Sequence, residues 1–139
     1  MRVYPDQLKN NLAKVPSVCL LFGDDLWLVE DCKKQLINAA KKQGFDERVQ
    51  LIQDPHFNWQ DLIQEWQSMS LFASRRIIEL HLPNGKPGTD GANAFQLLLQ
   101  QPNPDIVLII QGPKAGLEQT NSKWFKSLDS QGLYIPCAT

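Results

Sequence analysis

Short, nearly unbroken apolar runs recur along this chain, separated by segments whose apolar residues repeat every three or four positions. The cleanest run is Asp105 to Ile110 (DIVLII), and Ser17 to Phe22 (SVCLLF) is a second. A strand with one wet face alternates polar and apolar residues, so a run without alternation predicts a strand buried on both faces. Arg75 to Leu82 (RRIIELHL) and Leu133 to Cys137 add two more strands, and Arg48 to Ile52 a shorter one. From Asp24 or Asp25 onward, Leu26, Val29, Cys32, Leu36 and Ala39 or Ala40 share one helix face. Lys41-Lys42 suit the end of that helix dipole, and Gly44 stops it. Asn58 caps a helix that buries Trp59, Leu62, Ile63 and Trp66, with Asp61 at the capping-box position. Further helices are expected from Tyr4 to Lys14, Gly91 to Gln101 and Ser122 to Leu128, and a loop from Pro83 to Gly91. Strands alternating with helices imply right-handed βαβ crossovers. The expected fold is α/β, a three-layer domain with a mostly parallel five-stranded sheet and helices on both faces.

Length and charge narrow the function classes. At 139 residues the chain suits a single domain, and a net charge of -1 argues against a dedicated nucleic-acid clamp, which needs a basic face. Three widely spaced cysteines, Cys19, Cys32 and Cys137, form neither a disulfide framework nor a zinc knuckle. No apolar run approaches the roughly 18 residues of a membrane span, and no secretory signal opens the chain. A cytoplasmic protein is expected. Ala138-Thr139 follow an apolar strand-like run directly, so residues 1–139 are expected to be one domain of a longer protein.

In a sheet of this class ligands bind beyond the carboxyl ends of the strands. A phosphate-binding P-loop after the first strand needs several glycines, a lysine and a hydroxyl. Phe22-Gly23-Asp24-Asp25 offers one glycine and two carboxylates, and no GxGxxG fingerprint follows. No ATP hydrolysis and no cofactor are expected. An acidic pair at this place also occurs in response-regulator receiver domains, and Glu79-Leu80-His81-Leu82-Pro83 is similar to their third-strand pattern. Glu79 replaces the phosphoacceptor, Gln111-Gly112 stand in place of the Thr or Ser, and Ile135-Pro136 lack the Lys. A degenerate receiver-like signalling domain is the alternative reading. As plain structure, Asp24-Asp25 cap a helix, His56 and His81 have no catalytic partner at a recognisable spacing, and Lys33-Lys34 lie on a solvated face.

One segment fits no element. Gln67-Ser68-Met69-Ser70-Leu71-Phe72-Ala73-Ser74-Arg75-Arg76 connects a helix to a strand, yet places two large apolar residues side by side. Helices bury residues three and four apart and strands alternate ones. Leu71-Phe72 therefore read either as a core plug or as a contact offered to a partner. Arg75-Arg76 read as phosphate or carboxylate contacts, or as charges flanking a sheet edge.

That segment, with Arg2-x-Tyr4-Pro5-x-Gln7-Leu8, Leu20-Leu21-Phe22-Gly23-Asp24-Asp25-x-x-Leu28-x-Glu30, Gln43-Gly44-Phe45-Asp46 and Lys123-Trp124-Phe125, resembles one family along essentially the whole chain. It is the delta subunit of the bacterial DNA polymerase III clamp loader, in its N-terminal domain. The resemblance implies a fold similar to the AAA+ nucleotide-binding core that has lost its P-loop. It implies a role in DNA replication within the DNA-directed DNA polymerase holoenzyme, a nucleotidyltransferase, with no catalysis from this domain. The implied partner is the beta sliding clamp, bound through Met69, Ser70, Leu71 and Phe72, with Gln67 and Arg75 as flanking contacts. Other loader subunits (gamma/tau and delta prime) are implied partners through regions outside this chain. DNA is contacted only indirectly or weakly, and membranes not at all. Burying Leu71 and Phe72 supplies about 3–6 kcal/mol, whereas micromolar affinity needs about 8 kcal/mol. Further contacts are therefore expected from the helix ending at Ser68 or from the Pro83 to Gly91 loop.

Overall fold

The computed structural model of the protein describes residues 1–68 and 75–138. Among these, β1 (Val18–Phe22), β2 (Phe45–Ile52), β3 (Arg75–His81), β4 (Ile106–Gly112) and β5 (Leu133–Pro136) form one sheet. Its order is β2-β3-β4-β1-β5, and every pairing is parallel. The α/β expectation holds, helices on both faces included.

Continuous burial of β1, β3 and β4 follows from their interior places, while β2 alternates because it forms an edge. At the other edge, the Val3 amide donates to the Tyr134 carbonyl at 2.9 Å and the Tyr134 amide to the Met1 carbonyl at 2.8 Å. The first residues thus cover the free side of β5, the kind of protection that edge strands need.

Helix α1 (Leu26–Lys42) and a 3-10 helix (Pro5–Asn11) cover one face of the sheet. Val29, Cys32, Leu36 and Ala40 pack there on Cys19, Leu21, Ile77 and Ile109. In this layer the Cys137 thiol donates to the Ile135 carbonyl at 3.5 Å, and its neighbour Cys32 together with burial raises its pKa. The other face carries α2 (Trp59–Gln67), α3 (Gly88–Gln100), the short α4 (Leu117–Thr120) and α5 (Lys123–Gln131). Its core includes Leu62, Trp66, Phe95, Leu98, Phe125 and Leu128. Trp124-Phe125 belong to an edge-on aromatic chain, with Phe125 5.7 Å from Phe22 and 4.8 Å from Tyr134 between ring centres.

Several boundaries differ from expectation. Strand β2 begins at Phe45, not Arg48, and a bulge between Phe45 and Glu47 carries the strand back to Gly44. That start places the Phe45 ring 4.0 Å beneath the Arg75 guanidinium. The first helix is a shorter 3-10 helix with Pro5 in its opening turn. Helix α3 starts at Gly88 (φ 75°), so the loop after β3 is shorter than expected. Leu26 is 74% exposed instead of buried, whereas Leu28 and Val29 in the same turn pack on the core. Lys33 is not simply solvated: its Nζ donates to Gln111 Oε1 at 3.2 Å and pairs with Glu30 at 3.4 Å.

The receiver reading fails on topology. A receiver's strands run 2-1-3-4-5, whereas here β1 lies between β4 and β5. Glu79 also argues against it, being engaged by Arg48 through Nε at 2.7 Å and Nη2 at 3.1 Å.

Candidate functional site

The crevice where an α/β sheet of this kind holds phosphate lies beyond β1 and β4, whose connections leave in opposite directions. Here it is filled by the chain itself. The Gly23 amide donates to the Gly112 carbonyl at 3.2 Å, and the Asp25 amide to the Cys137 carbonyl at 3.1 Å. The Asp25 carboxylate then accepts from the Leu28 amide at 3.1 Å, which caps α1. A P-loop turns such amides toward an anion. In this protein they meet backbone carbonyls and a carboxylate.

The surrounding loops close the remaining space. A Cβ on Gly23 would collide with the backbone carbonyl of Cys137, and one on Gly112 would stand 3.2 Å from both the Leu82 carbonyl oxygen and the Phe22 ring. Gly85 (φ 66°) turns the chain against Pro113 in the same cluster. Phe22 is buried among them. Asp25 thus acts as the helix cap read from the sequence. Among the described residues no group of three or more His, Cys, Asp or Glu is placed to hold a metal.

A second concavity, about 530 Å³, lies on the α1 face at the carboxyl ends of β2, β3 and β4. Lys33, Glu79, His81 and Gln111 line it. Of its charged groups, Lys33 pairs with Glu30, which also lines it, and Glu79 pairs with Arg48, which does not. The hydrogen bond from Arg48 to Glu79 raises the Arg48 pKa further above its usual value. Around His81 the lining presents carboxylate, ammonium and amide side chains, a polar binding surface.

Of the residues singled out as a partner contact, Met69, Ser70, Leu71 and Phe72 lie outside the described residues. Gln67 and Arg75 lie within them. Gln67 Nε2 donates to Gln101 Oε1 at 2.9 Å. Arg75 donates from Nη1 to the Gln43 carbonyl at 2.6 Å and from Nη2 to the Pro104 carbonyl at 3.1 Å, and it pairs with Asp105 at 3.6 Å. Arg75 and Arg76 are therefore not charges on a sheet edge, because β3 is an interior strand.

Arg76 is buried, and its guanidinium gathers the end of α2. Nη2 donates to the Glu65 and Ser68 carbonyls at 2.8 Å each, and Nη1 to Ser68 Oγ at 2.9 Å. Asn103 Nδ2 donates to the Trp66 carbonyl at 2.7 Å, and the Trp66 indole to the Gln101 carbonyl at 2.7 Å. Five bonds thus fix the helix end from which residues 69–74 depart. Sequence reasoning missed Glu65, Ser68 and Asn103. Their only signal was the helix terminus itself, whose last carbonyls need donors.

Comparison with known proteins places this geometry in context. The model of the family described as DNA polymerase III, delta subunit, matches residues 19–138. DNA polymerase III subunit delta of Escherichia coli (strain K12) is 31% identical over 140 residues, covering 100% of this chain and 41% of its own length. The protein of that name from Haemophilus influenzae is 33% identical over 142 residues, covering 99% of this chain and 41% of its own. The chain therefore spans about two-fifths of the length of these relatives. Two solved structures share its fold. The Bacillus subtilis DNA clamp loader delta protein superposes with a TM-score of 0.69 at 17% identity, over 96% of this chain and 41% of that one. A DNA polymerase III gamma subunit-related protein from Thermotoga maritima superposes with a TM-score of 0.56 at 15% identity, over 95% of this chain and 45% of that one.

Proposed function

Because the chain belongs to the DNA polymerase III delta-subunit family, we propose that residues 1–139 form the N-terminal domain of a clamp-loader delta subunit and grip the sliding clamp through Leu71 and Phe72. The observation that carries this reading is the family match across residues 19–138, which contains the whole Gln67 to Arg76 segment. In this reading Leu71 and Phe72 enter an apolar pocket on the clamp, with Met69 and Ser70 beside them. Binding there favours an open ring and so allows clamps to be loaded during replication. Gln67 and Arg75 serve as supports, since each is already bonded within its own domain.

The division of labour follows from the same chemistry. In this reading the domain binds the clamp and hydrolyses no ATP, so ring opening draws on other loader subunits, gamma/tau and delta prime, joined through parts of the protein beyond these residues. DNA is approached only indirectly, in keeping with a net charge of -1. The working place is the cytoplasm, where bacterial replication proceeds. Among the described residues no helix is long and apolar enough to cross a membrane.

Clamp binding by the full-length protein tests the reading. Removing both plug side chains forfeits about 3–6 kcal/mol of apolar burial, so Leu71→Ala/Phe72→Ala is expected to weaken binding about a hundredfold or more. Unchanged affinity in that double variant, with the fold intact by circular dichroism, sinks the plug.

A further inference from the structure

Residues 69–74 leave α2 by way of Ser68 and enter β3 at Arg75, and both attachment points are held by a third element, the connection 101–105 between α3 and β4. On the α2 side the Trp66 indole donates to the Gln101 carbonyl and Asn103 Nδ2 to the Trp66 carbonyl, each at 2.7 Å. On the β3 side Arg75 Nη2 donates to the Pro104 carbonyl at 3.1 Å and the Arg76 amide to the Asp105 carbonyl at 2.8 Å. Asn103 Oδ1 also accepts from the Asp105 amide at 2.9 Å, so one side chain spans both halves of this clasp. Pro102 and Pro104 fix φ within the connection and stiffen it. Arg76 then joins β3 to α2 directly, through Ser68 and Glu65.

Stability alone does not call for this arrangement. A helix can end on a local glycine that lets nearby amides satisfy its last carbonyls. A buried guanidinium is often no more stabilising than an apolar side chain of similar volume. Here α2 ends on Ser68 in an extended conformation (φ -72°, ψ 142°), and its last carbonyls accept from a charged side chain on a strand and an amide on a distant connection. Such non-local bonds fix where one attachment point of a segment stands relative to the other. We propose that Arg76 and Asn103 are positioning residues for clamp binding, which hold Ser68 and the start of β3 in a set relation so that Leu71 and Phe72 are carried on a fixed frame. The proposal rests on the reading of Leu71 and Phe72 as the plug. A contact whose attachment is fixed in advance loses less freedom on binding, which adds affinity that the two apolar side chains do not supply by themselves.

Clamp affinity of the full-length protein, measured where circular dichroism shows every variant folded, tests the clasp. Arg76→Lys and Asn103→Ala are each expected to weaken binding about tenfold. In a chain already carrying Leu71→Ala/Phe72→Ala, neither is expected to weaken it further, because no plug is left to position. Cys19→Ala, which opens a cavity in β1 far from the clasp in sequence, is expected to bind as the wild type does, and so separates position from stability. Unchanged affinity in Arg76→Lys and Asn103→Ala, beside a loss in Leu71→Ala/Phe72→Ala, overturns the clasp and leaves the plug standing. A loss in Cys19→Ala as large as theirs, or a loss confined to one of the two positioning variants, overturns it as well. Unchanged affinity in Leu71→Ala/Phe72→Ala removes the plug reading and the clasp with it.

Discussion

Arg76 holds Ser68 at two points, from Nη1 to the side-chain oxygen at 2.9 Å and from Nη2 to the carbonyl at 2.8 Å. A third bond reaches the Glu65 carbonyl at 2.8 Å, so one buried side chain on β3 closes the last turn of α2. The strand that receives residues 69–74 and the helix that releases them are therefore joined directly. Lysine keeps the charge but lacks the planar fork that serves several acceptors at once.

Arg76→Lys is accordingly expected to lower stability by about 1–3 kcal/mol, the cost of leaving buried polar groups unpartnered. The Ser68 amide, bonded to the Gln64 carbonyl at 2.8 Å, should exchange hydrogen faster in the variant. Amides of β1 should keep their wild-type exchange relative to global stability. Uniform acceleration across both elements would show that Arg76 stabilises the domain generally and not the end of α2.

Gly23→Ala tests the closure of the crevice. The new methyl meets the Cys137 carbonyl, a backbone group that cannot swing away as a side chain does. Overpacking of this kind costs about 1–3 kcal/mol, and more where backbone must move. A thermal transition lowered by several degrees is the expected result, and an unchanged transition would mean that β1 and β5 separate easily at this end.

Alkaline pH should weaken the fold through Cys19. Burial pushes its thiol up to about 12 from an ordinary value of 9.0. Because the folded pKa is the higher one, stability is fully retained below pH 9 and falls as the unfolded chain releases its proton first. The loss reaches about 1.4 kcal/mol per pH unit through this window. Urea midpoints are expected to hold near neutrality and to fall between pH 9 and 12. Cys19→Ala should be weaker at neutral pH, because of the cavity, but should show a shallower alkaline decline.

Legibility in the sequence tracked the range of the interaction. Strands β1 and β4 were readable because burial on both faces writes an unbroken apolar run, and α1 because its cap, period and Gly44 stop are local. Strand order was not readable, since the same runs can be arranged in several ways within a sheet. Arg75 and Arg76 consequently looked like edge charges until β3 proved interior. Leu26 obeys the helical period yet stands exposed as the first residue of α1, while Val29 one turn on is buried. Helix α4 is too short to show a period. In the proposed site, Asp25 was legible as a cap, but the meeting of Gly23 with Cys137 joins opposite ends of the chain and leaves no local mark.

The engaged amides after β1 also decide how this domain behaves in time. A loop that holds a nucleotide has a full and an empty condition, and the free energy of binding separates them. A ligand moves an equilibrium only when it binds the two conformations differently. With Gly23 and Asp25 already committed to Gly112 and Cys137, these two amides could meet a phosphate only after those bonds were broken. On the proposed reading the domain serves as a fixed post without a clock of its own, moved through its neighbours.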